Sequence, residues 1–235
     1  MSEIEIIVAN LSAVATPERA TYEKNYHKSS LTFLGANVPA QSAEARRILR
    51  ENKQIDRAAM LTLFGALWET DVHELRGVAC SLLCLRSRLL IPQDMAFLKE
   101  KIKESKGWAH VDTLAAKPLA DLVLSHGLEG ELDEWAIDED FWIRRASMLA
   151  LLKRLSAGDM GEWPRFTRYA EGMLCEKEFF IRKAIGWVLR EVSKKNPNPV
   201  FDFLHSHRNA ASGLTLREGA KHLPPEMRDQ LGLRA

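Results

Sequence analysis

The chain has 235 residues, 46% of them apolar and 28% charged, with 33 Lys+Arg against 32 Asp+Glu for a net charge of +1. That is long enough to bury a sizeable core and too apolar for a mostly disordered or fibrous chain. No apolar run reaches the roughly 18 residues a membrane span needs, and Met1-Ser-Glu-Ile-Glu carries acid where a secretory signal carries base.

In chain order, Thr16-Pro17-Glu18 supplies a cap residue and then proline at a first helical position. Gly35–Pro39 reads as a turn between helices. Leu61, Leu63, Phe64, Leu67 and Trp68 form one helical stripe, and Met148, Leu149, Leu151, Leu152 and Leu155 another. Further breaks fall at Ile91-Pro92, Gly127, Gly158–Pro164, Asn196–Pro199 and Pro224-Pro225, none long enough to be a domain linker. β signals are almost absent, so one all-α domain over residues 1–235 is expected. Cys80, Cys84 and Cys175 sit in apolar helical contexts and read as buried thiols of a cytoplasmic, reducing compartment.

An apolar residue followed by a polar one recurs at Leu75-Arg76, Val111-Asp112, Ile143-Arg144, Ile181-Arg182 and Leu216-Arg217. The steps are 36, 32, 38 and 35 residues, the spacing of helix-pair repeats. Such pairs bury their apolar faces only by stacking, which predicts an α-solenoid with a concave surface. Four of the five slots hold Arg, and the fifth holds Asp112.

Charge is unevenly spread. Residues 1–140 carry 16 bases and 22 acids, residues 141–235 carry 17 and 10, and Glu129–Asp140 alone has seven acids and no base. A basic C-terminal half suits a polyanion partner, although random drift on a solvated surface gives the same count. The acidic run is expected on the outer, solvent side.

Three segments carry candidate chemistry. Trp108 and Asp112 stand four apart and share a helical face; a core Trp beside a helix-start acid is the plainer alternative. Adjacent Arg144 and Arg145 point in different directions, one toward a groove and the other toward a structural ion pair. Lys183, Trp187 and Arg190 fall on one stripe, suited to a sugar–phosphate backbone or else to a snorkelling core edge. The histidines and cysteines show no metal-ligand spacing, His205 and His207 read as surface, and nucleotide-loop and nucleophile-elbow motifs are absent.

These residues resemble the AlkD-like DNA glycosylases, HEAT-like-repeat enzymes of alkylation repair. The likeness runs over about residues 22–223. It rests on Tyr22, Lys28-Ser-Ser, Phe33-Leu-Gly35, Pro39, Trp108-x-x-Val-Asp112, Trp142-x-x-Arg145-Ala and Lys177-Glu-Phe-Phe-Ile-Arg-Lys-Ala-Ile-Gly-Trp187-Val-Leu-Arg-Glu191. It implies a site made from Trp108, Asp112, Arg145 and Trp187, hydrolysis of the N-glycosidic bond of N3- or N7-alkylated purines without base flipping, and no metal or cofactor. Gly107 departs from members that carry a second Trp there. Arg76, Arg144, Arg182, Lys183, Arg190 and Arg217 are the expected phosphate contacts on duplex DNA, and a monomer is the default. A non-catalytic module for distorted or branched DNA, or a protein-interaction scaffold, are the competing readings.

Overall fold

The computed structural model describes residues 2–233. Among them are fifteen α-helices and no extended strand; a single bridge pairs Thr32 with Val72. The chain packs as two compact units, Met1–Leu122 and Val123–Ala235.

The first unit holds α1 (Glu3–Ser12), α2 (Pro17–His27), α3 (Val38–Glu51), α4 (Arg57–Trp68), α5 (His73–Arg86), α6 (Asp94–Lys103) and α7 (Trp108–Leu114). A π-helical turn, Ala115–Leu119, leads from α7 into α8 (Ala120–His126). Pro118 sits inside that turn and has no N–H to donate, which favours the wider winding. The second unit holds α9 (Glu129–Trp135), α10 (Phe141–Ala157), α11 (Trp163–Met173), α12 (Phe179–Ser193), α13 (Pro197–Ser206), α14 (Gly213–Gly219) and α15 (Pro225–Gln230).

Alternate helices pack in rows within each unit: α3 on α5 and α5 on α7, then α10 on α12 and α12 on α14. The intervening α4 and α6 pack on α5 and α7, and α9, α11 and α13 pack on α10 and α12. This is the stacked helix-pair class the repeat predicts. Its register follows the repeated slots, since Leu75, Val111, Ile143, Ile181 and Leu216 all lie on the row helices and are buried.

Thr16 caps α2 through its hydroxyl, with Pro17 at the first position, as the sequence predicts. Several predicted breaks differ in one respect: their prolines lie inside the next helix rather than between helices. Pro39, Pro164, Pro197 and Pro225 all occupy a helix's first turn, where no N–H is required. Gly158, at φ +94°, closes α10 in the left-handed conformation that suits glycine.

The loop between α2 and α3 is fixed by a buried carboxylate. Glu74 accepts hydrogen bonds from the backbone N–H groups of Leu34 (3.0 Å), Gly35 (2.6 Å) and Ala36 (3.2 Å). Gly35 has φ +94°, and a Cβ there would lie 2.2 Å from Thr16 O. Of the cysteines, Cys80 is buried and Cys84 half-buried, but Cys175 is exposed just beyond α11, against the expectation of burial.

Candidate nucleic-acid interface

Trp108 opens α7 and Asp112 follows one turn later; both are half-buried and share a helical face. The π turn begins three residues after Asp112. The Trp108 ring packs on His27 (centroids 4.9 Å apart) and meets Tyr26 edge-on at 5.7 Å. Tyr26 in turn stacks on Tyr22, and both tyrosines are exposed. Behind His27 lie Phe33 and His73, stacked at 4.4 Å, and then His110. Gly107, extended at the helix start, faces His27 O and Ser29, and a Cβ there would make only ordinary contacts.

This aromatic wall disfavours protonation of its imidazoles. Burial, with His110 and His27 adding to it, pushes His73 down to about 2. Burial also pushes His110 down to about 4, although its Nε2–H donates to His73 O at 3.1 Å. Burial lowers His27 too, against the pull of Glu23.

In the second unit Arg145 is 2% exposed, donates to Phe180 O and lies against the Phe180 ring. Phe141 and Trp142 complete an aromatic group at the starts of α10 and α12. Trp187 is half-buried on α12, between Lys183 and Arg190 on the same stripe. Both cations pair with Glu218 of α14: Lys183 Nζ at 2.8 Å and Arg190 Nη1 at 2.6 Å. These cations hold the Glu218 carboxyl below the usual range, chiefly through the Lys183 hydrogen bond. The close approach needs Gly186, where a Cβ would come within 2.6 Å of Glu218 Cβ.

The repeated arginines are not alike. Arg76 is 4% exposed, gives its donors to Trp68 O, Glu104 O and Asp71, and lies over the Trp68 ring. Arg144 binds Glu176 with two nitrogens and Asp138 O and Glu139 O with a third. Arg182 Nε donates to Glu176 O at 2.7 Å. Each of the three ties down the loop preceding its own helix. For Arg76 and Arg144 the geometry corrects the expectation of a phosphate contact, since a phosphate would have to displace well-made internal hydrogen bonds. Arg182 is half-buried, commits only Nε and keeps that expectation. Arg217 is exposed, with no acceptor assigned to it among the described residues, and keeps that expectation.

The acidic run is likewise engaged. Asp133 on α9 binds Arg165, Arg168 and the Tyr169 hydroxyl, Glu129 faces Arg154 at 3.5 Å, and Asp140 caps α10. Sequence alone gave no sign of Glu218 or of the histidines behind Trp108. The contacts that bring them into place span from 28 residues, Arg190 to Glu218, to 81, His27 to Trp108.

Rows of stacked helix pairs, with an aromatic–carboxylate face in one unit and a cationic Trp stripe in the other, define an all-α helical-repeat protein. The chain belongs to the family of DNA alkylation repair enzymes, whose model matches residues 7–223. Its fold is similar to that of a predicted DNA alkylation repair enzyme from Enterococcus faecalis, with 25% identity, a TM-score of 0.77, and coverage of 89% of this chain and 96% of that one. It is also similar to AlkD2 from Streptococcus mutans, with 17% identity, a TM-score of 0.67, and coverage of 94% and 99%. No curated protein matches the chain. Among the described residues no helix is long and apolar enough to cross a membrane.

Proposed function

We propose that this repair enzyme is a monofunctional glycosylase that hydrolyses the N-glycosidic bond of cationic N3- or N7-alkylated purines in duplex DNA. The observation that carries this reading is the Trp108–Asp112 pair on one half-buried face of α7, in a chain that belongs to an alkylation-repair family.

A cationic alkylpurine leaves as a neutral base, so its departure needs no general acid. The difficulty that remains is a sugar developing oxocarbenium character and a water to attack it, the electrostatic problem that glycoside hydrolases solve with carboxylates. Asp112, ionised, stabilises the positive sugar and orients or deprotonates the water. The ring face of Trp108 adds cation–π attraction of about 0.5–2 kcal/mol, and the family resemblance implies the same kind of role for Trp187. Lys183, Arg190 and Arg217 add charge along the strand, whereas Arg145, 2% exposed and bonded to Phe180 O, ties α10 to the start of α12 from within, which corrects the expectation that it meets a phosphate. Selection by the lesion's own lability removes the need for a tight base pocket, in contrast to glycosylases that flip the base.

Asp112→Asn is expected to abolish release of 7-methylguanine and 3-methyladenine from methylated duplex DNA while leaving DNA binding largely intact. Excision at the parental rate would remove Asp112 from the chemistry. DNA binding by the parent protein without any base release would favour a non-catalytic module for distorted DNA.

A further inference from the structure

Behind Trp108, α2 and α5 bring together three metal-capable side chains that the proposed chemistry does not use. Glu23 and His27 stand one turn apart on α2, and His73 opens α5. One ligand atom from each lies within 4.8 Å of the other two, the only such group of His, Cys, Asp or Glu among the described residues. His27 Nδ1 is buried and has no hydrogen-bond partner, an orphaned state that native interiors avoid.

The other two ligands are held in place. The His73 backbone N–H donates to Thr32 O at 2.9 Å, its carbonyl accepts from His110, and its ring stacks on Phe33. Glu23 Oε1 accepts from Arg19 Nε at 2.8 Å, which orients the carboxylate much as outer donors orient metal-bound carboxylates. With ligands about 2.1 Å from a tetrahedral ion, neighbouring donor atoms stand roughly 3.4 Å apart. Small rotations of the half-buried Glu23 and His27 side chains therefore close the set.

We propose that Glu23, His27 and His73 bind one first-row divalent cation of the zinc class. Two imidazoles and one carboxylate suit zinc or cobalt, whereas magnesium and calcium call for oxygen donors throughout. The cation clasps the end of α2 to the start of α5 and stiffens the surface on which the Trp108 ring rests.

The test uses the full-length protein stripped of metal. Zinc, followed by calorimetry and thermal unfolding, is expected to bind as one equivalent and to raise Tm. Cobalt in its place is expected to give visible d–d absorption without a thiolate charge-transfer band. Glu23→Gln and His27→Gln should each weaken zinc binding by roughly 100-fold or more, with unchanged helical circular dichroism, while His205→Gln should leave it unaltered. Failure of the parent protein to bind either ion, a thiolate band, or parental affinity in both α2 variants would overturn the proposal. None of these readouts uses base release, so the outcome is independent of the glycosylase reading.

Discussion

At the residue scale, the same side chain type serves different ends according to what surrounds it. Arg76, Arg144 and Arg182 share a repeat slot with Arg217, yet only Arg217 is exposed, because the other three find carbonyls and carboxylates within reach. Glu74 shows the converse: an acid at a helix start that holds a loop rather than meeting solvent. Glu74→Ala would leave three backbone N–H groups without their acceptor, at a cost of about 3 kcal/mol or more. Equilibrium denaturation should read this as a lower midpoint with little change in slope. A loss below about 1 kcal/mol would mean water replaces the carboxylate. The loop Glu74 holds carries Phe33, which stacks on His73 and His27 beneath Trp108, so the variant should also loosen the candidate site.

At the element scale, α12 and α14 are joined by two ion pairs that share one carboxylate. Glu218 neutralises part of the charge that Lys183 and Arg190 would offer a phosphate. Under the DNA-binding proposal, Glu218→Gln releases both cations. Affinity for duplex DNA at low salt should rise, and the dependence of log K on log salt should steepen by about one to two contacts. An unchanged salt slope would show that neither cation reaches DNA. Much at this scale was legible beforehand. The Thr16-Pro17 start, the stripe from Met148 to Leu155 and the five-fold apolar slot all follow from local spacing, and all lie where the periodicity puts them. The Gly186–Glu218 contact was not legible, because glycine's lack of a Cβ becomes informative only when a neighbouring helix is in place.

At the scale of the whole molecule, net charge and pH response are sums of such local choices. The acidic run and the basic half that follows it partly cancel through Asp133 with Arg165 and Arg168, and Glu129 with Arg154. The sequence count therefore overstates the field a distant polyanion meets. His73 and His110 titrate below the unfolded value near 6.5, so the unfolded chain takes up protons that the folded one refuses. Stability is full above about pH 6.5 and falls as pH drops toward 4 and beyond, by up to about 1.4 kcal/mol per pH unit for each histidine. With chelator present, Tm should fall between pH 6.5 and 5, before most carboxylates titrate. His110→Gln should flatten that decline, and a flat profile in the parent would show that the rings are protonated in the fold.

The Thr16-Pro17 helix start, the all-α class and the shared helical face of Trp108 and Asp112 were legible in the sequence alone, since each depends on residues within one or two turns of one another, and the repeat register was legible because one such local pattern recurs every 32 to 38 residues. Tertiary structure decided which arginines are exposed, which acid restrains Lys183 and Arg190, and which histidines meet behind Trp108. Those outcomes depend on residues tens of positions apart, brought together by core packing that apolar periodicity drives but whose polar neighbours it does not specify.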